Sequence, residues 1–184
     1  TRKKFWLDRA RTAAIAKHTN AFKINEDVVI PLARLGDYCD GIERLNIELS
    51  LANKLKLCEA LGEFLRGDLP LHQQEEMLDA EELLGDRRQQ AQEQIAATRT
   101  RWQWLADNLD LPLAVAESEF TARNIEAGVL VNKTAQPALF HRLQDHSIRV
   151  SWKRELQAPL QAIFDGLAYR QIVERITRIH SEVL

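Results

Sequence analysis

His141 and His146 are the closest-spaced pair among the five histidines of this 184-residue chain; the others are His18, His72 and His180. Two imidazoles on one helical face share a metal when they stand three or four residues apart, and a spacing of five does not bring them together. Solvated or helix-capping roles are therefore expected, with no metal site. Asp79, Glu81, Glu82 and Asp86 gather carboxylates but lack the histidine at i+3 of a carboxylate–histidine metal motif, so they read as a solvated helix face. Cys39 and Cys58 have no third or fourth ligand nearby and are expected to be reduced core thiols of a cytoplasmic protein. The seven glycines are dispersed, which excludes a phosphate-cradling loop, and no serine lies in a nucleophile elbow. Trp102 and Trp104, two apart, cannot share a helical face. At least one is expected to be partly exposed, as a partner contact or as a snorkelling indole.

Composition narrows the class further. With 25 basic against 27 acidic residues and 45% apolar residues, the chain should fold and should not coat a nucleic acid. No run approaches the roughly 18 apolar residues of a membrane span. The basic start Arg2-Lys3-Lys4 leads into Asp8, Arg9 and Arg11 rather than an apolar signal core, so a soluble, unexported protein is expected. The chain starts at Thr1 and stops at Leu184 within an apolar-periodic segment, as an excised piece would.

The elements that would position these groups are mostly helical. Phe5–Lys17 is an Ala-rich run with an apolar face, followed by a turn near Thr19 and Asn20. Val28-Val29-Ile30, closed by Pro31, is the one convincing strand. From Leu35 the positions Tyr38, Ile42, Leu45, Leu49 and Ala52 step by three and four, predicting a helix that can continue through Leu61 and Leu65. Gly67, Asp68 and Pro70 mark one boundary and Leu109–Pro112 another; the span between is acidic, with four basic and ten acidic residues over 67–110. Leu71–Asn108 reads as a long helix or helical hairpin broken at Gly85-Asp86. Helices are further expected over Glu117–Ala127, Pro137–His146, Ser151–Gly166 and Leu167–Leu184, with a kink or restart at Pro159. The fold class is mainly α, a helical bundle with one short strand or strand pair near the N-terminus.

Trp6-x-x-Arg9, then Lys23 and the run Asp27-Val28-Val29-Ile30-Pro31 followed by Arg34-Leu35, resemble the C-terminal substrate-cap region of the FAD-linked oxidases. That family includes D-lactate dehydrogenases, glycolate oxidase subunits and D-2-hydroxyglutarate dehydrogenases, and its pattern is Trp-x-x-Arg, a strand Asp-Val-x-Val-Pro, and a helix with an early Arg-Leu. Ile30 stands where the family has Val. His18–Asp27 looks like a bacterial subgroup of large FAD/FMN-containing dehydrogenases that also carry iron–sulfur modules. The resemblance implies that residues 1–66 are part of the substrate cap and residues 67–184 a helical insertion.

It implies roles as well. Arg9, with Lys23, would hold the carboxylate of a 2-hydroxy acid, the forked guanidinium donors matching the two oxygens. Ala13 stands where the family carries an assisting hydroxyl. Taken from the residues alone, Arg9 is a surface helix charge beside Asp8 and Lys23 a solvated loop lysine. The FAD would be bound elsewhere in the parent protein, with an iron–sulfur cluster in another module, and the chain alone would be inactive. Its partners would be the rest of the flavoenzyme, the 2-hydroxy acid, and an electron-transfer protein or a second copy. The alternative is a helical protein–protein interaction module that uses the acidic span 67–110 and Trp102 or Trp104.

Overall fold

A computed structural model describes residues 29–71, 80–131 and 134–183, and the chain divides into two compact units, Thr1–Tyr38 and Cys39–Leu184. The expected helix over Phe5–Lys17, together with Arg9 and Lys23, lies outside the described residues.

In the first unit the expected strand does not form at Val29 and Ile30, and Val28 lies outside the described residues. A β-branched run becomes a strand only when neighbours complete its ladder. No strand is found among the described residues, and Val29 is 96% exposed, so no described residue packs over it. Pro31 adopts φ −55° and ψ 135°, and its carbonyl accepts the Arg34 N–H at 2.8 Å. That bond closes a 3₁₀ turn, Leu32–Arg34, which runs directly into helix α1, Leu35–Arg66. Arg34 Nε pairs with Asp37 at 2.7 Å, one turn on.

The second unit is mainly α. Beyond α1 it holds α2 (Ala80–Leu84), α3 (Arg87–Asp107), α4 (Leu113–Glu119), α5 (Leu139–Gln144), a π-helical turn (Lys153–Gln157) continued by α6 (Ala158–Ile163), a 3₁₀ turn (Leu167–Tyr169) and α7 (Arg170–Val183). Its core collects Leu51, Leu57, Cys58, Leu61 and Leu65 from α1, Ala91, Ile95, Thr98, Trp102 and Leu105 from α3, and Ile172, Ile176 and Ile179 from α7. In α3 and α7 these positions recur at three- and four-residue steps, as do Leu57 or Cys58, Leu61 and Leu65 in α1, the spacing that keeps one helical face inward. α3 packs on the π turn and α6.

Local chemistry explains the breaks. α1 ends at Gly67, and Gly85, at φ +47°, separates α2 from α3 where the sequence predicted a break. Pro159 falls in the first turn of α6, directly after the π turn, so the helix restarts there. α4 lies earlier than the expected 117–127. Pro112 at its N-cap sets φ −53°, and Leu113 and Ala116 then supply the buried face.

The half of α1 before Leu51 contributes no buried residue, and there Ile42, Leu45 and Leu49 are exposed. Polar bridges hold this stretch instead. Arg44 grips Asp110 through two bonds of 2.5 and 2.8 Å and also Glu48 at 2.8 Å, while Gln144 reaches Asp40 at 2.9 Å. Cys39 lies on this outer stretch and is exposed, which corrects the expectation of two core thiols; Cys58 is buried.

Candidate functional site

The buried seam of α1 runs Leu51, Lys54, Cys58, Leu61, Leu65, so a lysine stands where the spacing calls for an apolar residue. Burial pushes the Lys54 ammonium below its ordinary range, partly offset by the charge of Glu155. Its nitrogen bonds Ser50 Oγ at 2.6 Å, and among the described residues it has no ion pair. Lys54 opens on a groove of about 530 Å³ floored by Ile47, Leu51, Leu143, Ile148 and Val150, with Ser50, Ser151, His146 and Arg149 at its edges.

The opposite wall of this groove is the segment His146–Ser151, which a dense set of bonds fixes. His146 takes φ +59°. Asp145 accepts the Ser147 N–H at 3.0 Å and the Val131 N–H at 2.7 Å. Ile148 N–H donates to Arg142 O at 2.8 Å and Gly128 N–H to Ser147 O at 2.7 Å. Arg142 in turn holds Gly128 O at 2.6 Å and pairs with Glu117.

On the other side of Ile148-Arg149-Val150 lies a second, polar groove of about 290 Å³ that includes Gln94, Arg101, Asn124, Glu126, Arg154 and Glu155. Its base is a mostly covered ion pair. Glu155 accepts Arg101 Nε at 3.0 Å and Nη2 at 2.9 Å, Trp102 Nε1 at 3.2 Å and the Ser151 backbone N–H at 2.7 Å. The two charged side chains are only 14% and 12% exposed. Pro159, four residues on, has no N–H to offer the Glu155 carbonyl, and Gln94 Nε2 at 2.9 Å and Thr98 Oγ1 at 3.3 Å donate to it from α3. Ser151 Oγ also accepts the Arg154 N–H at 3.3 Å, so Ser151 and Glu155 cap the helix start reciprocally.

The arrangement suits binding of an anion better than nucleophilic chemistry. Ser50 and Lys54 make the contact a serine nucleophile would need. Ser50, however, is well inside α1, where backbone N–H groups are committed to helical bonds and cannot form an oxyanion hole.

The other residues singled out from the sequence fall elsewhere. His141 Nδ1 accepts the Ala138 N–H at 2.9 Å as a helix cap, and His180 stacks on Trp152 with centroids 4.7 Å apart. His18 and His72 lie outside the described residues, among which no cluster of histidine, cysteine or carboxylate groups is placed to hold a metal. Trp102 is fully buried and so makes no partner contact. Trp104 is half-buried, edge-on to Phe120 at 6.5 Å and under the Arg123 guanidinium at 4.7 Å. Lys54 had a sequence signal in its place on the seam, whereas Arg101 and Glu155, far apart in the chain, had none.

No helix among the described residues is long and apolar enough to cross a membrane. No family model, curated protein or solved structure matches the chain.

Proposed function

We propose that the chain is part of a FAD-dependent 2-hydroxy acid dehydrogenase of the D-lactate or glycolate type, with residues 1–66 contributing to the substrate cap and 67–184 forming a helical insertion. The observation that carries this reading is the ordered pattern Trp6-x-x-Arg9, Asp27-Val28-Val29-Ile30-Pro31, Arg34-Leu35. Two structural features support it. The helical turn starts directly after Pro31, placing Arg34-Leu35 at the helix entry as the family pattern has it. Val29, β-branched and exposed two residues before Pro31, suits a strand whose sheet is supplied by the rest of the parent.

In this reading Arg9 and Lys23 bind and orient the substrate carboxylate. A flavin held elsewhere in the parent would accept the hydride from the 2-hydroxyl carbon, so this chain supplies orientation and not turnover. Iron–sulfur modules of the parent and an electron-transfer partner belong to the same proposal.

The test is made on the polypeptide encoded by the whole reading frame that contains this chain. Its flavin band should bleach anaerobically with one of D-lactate, glycolate or D-2-hydroxyglutarate. Arg9→Met should raise KM while leaving flavin content unchanged. A protein without flavin, or bleaching indifferent to Arg9→Met, overturns the assignment.

The exposed stripe Ile42, Leu45, Leu49 favours a second reading, a helical protein–protein interaction module with no catalytic role. Trp102 drops out of that reading because it is buried. Flavin binding by the whole protein separates the two.

A further inference from the structure

We propose that the groove between α1 and the Leu143–Ser151 segment binds a small aliphatic monocarboxylate, its chain on the apolar floor and its carboxylate between Lys54 and Arg149. This does not rest on the flavoenzyme reading, whose substrate would sit at Arg9 and Lys23.

Three observations identify the ligand's chemistry. The groove, about 530 Å³, has the volume of a small-molecule site. Its apolar lining is entirely aliphatic, from Ile47, Leu51, Leu143, Ile148 and Val150, with no Phe, Tyr or Trp among the lining residues. Every ionisable group in the lining is basic, namely Lys54, His146 and Arg149, although the chain as a whole carries a net charge of −2.

The cations are also unspent. Among the described residues neither Lys54 nor Arg149 has an ion pair. The one carboxylate that acts on Lys54, that of Glu155, is already committed to Arg101, Trp102 and Ser151. A half-buried ammonium without a counter-ion is destabilising as it stands, and an arriving carboxylate would relieve that penalty. A lysine kept on a seam that packing would fill with Leu or Met is therefore better explained by a ligand than by stability.

The probe is sodium octanoate, with octanol as its uncharged counterpart, followed by amide chemical shifts of the 184-residue chain. Octanoate should shift residues 46–54 and 143–151 saturably, and octanol should bind about tenfold more weakly or worse, the discrimination expected of a charge-assisted contact. Lys54→Met should weaken octanoate by about tenfold or more while leaving octanol unchanged and the protein at least as stable. Arg149→Met, an exposed change that leaves the core intact, should weaken octanoate in the same direction. Equal binding of octanoate and octanol, insensitivity to both variants, or shifts elsewhere in the molecule would overturn the proposal. Shifts of the same amides on dilution without ligand would assign the groove to a second copy and overturn it as well.

Discussion

Glu155→Leu should be among the most damaging single substitutions in the second unit. Glu155 and Arg101 are 12% and 14% exposed, and the carboxylate takes two N–H bonds from Arg101 together with those of Trp102 Nε1 and Ser151. Removing it strands a mostly covered guanidinium at the base of the polar groove, which costs up to about 3–5 kcal/mol, and leaves a fully buried indole N–H without its acceptor. Against a typical domain stability of about 5–15 kcal/mol this is a large fraction. The double variant Arg101→Met, Glu155→Leu removes both charges and keeps apolar volume, so it should recover most of the loss. About 1–2 kcal/mol should remain for the Trp102 and Ser151 donors. Urea unfolding followed by far-UV circular dichroism gives all three free energies, with an unchanged slope confirming that the same surface is exposed. The two variants and the wild type, with Arg101→Met added, complete a cycle that isolates the pair. A loss below about 1 kcal/mol for Glu155→Leu, or a double variant no better than the single, would refute a buried, mutually dependent pair.

Three further outcomes follow from the same structure. Burial and the nearby Lys54 and Lys153 charges hold His180 below its ordinary 6.5, so the unfolded chain binds the proton more readily. Its contribution to stability is therefore complete above pH 6.5 and is lost as the pH falls towards the depressed value, and His180→Gln should flatten that part of the pH–stability curve. The Cys58 thiol is buried and pushed up to about 12, mainly by desolvation, whereas Cys39 is exposed. Iodoacetamide should thus label Cys39 alone in the native chain and both after denaturation, and native labelling of Cys58 would contradict its placement. Gly166 sits at φ +120° and ψ 160°, a region closed to residues with a Cβ, so Gly166→Ala should cost about 1–3 kcal/mol in a thermal or urea melt.

Much of the helical framework was legible because its causes are local. Three- and four-residue apolar spacing marks α1 and α7, and Gly67, Gly85 and Pro159 mark where helices stop or restart. Val29 and Ile30 form no strand here because β-branched composition states only a preference, and a ladder needs a neighbour. α4 starts ahead of the expected Glu117 because Pro112 sets the helix entry and Leu113 and Ala116 supply the buried face. The candidate groove was not read from the sequence, although Lys54 interrupts the seam from Leu51 to Leu65 and a lysine there carries information. Glu155 had no such signal. Its importance depends on a π turn and on partners in α3, which only the tertiary fold brings within reach.

The two apolar faces of α1 bear on which functional reading holds. Leu49 and Leu51 are two residues apart, about 200° around a helix that turns roughly 100° per residue. A single core cannot cover both, and the second unit buries the Leu51 face while Leu45 and Leu49 stay 54% and 61% exposed. Fully burying a side chain of this size is worth about 1.5–3 kcal/mol. Ile42, Leu45 and Leu49 are already partly covered, so something like half of that is left unrealised at each. The polar clamps from Arg44 to Asp110 and Gln144 to Asp40 hold the helix in place without using this face. Such a stripe is expected where a cap segment rests on the rest of its parent protein, and Leu45→Glu should then leave the isolated chain's stability almost unchanged. The same change in the whole protein should destabilise it by about 1–3 kcal/mol. Equal effects in both settings would mean that the parent does not cover the stripe, and would shift the balance towards the interaction module.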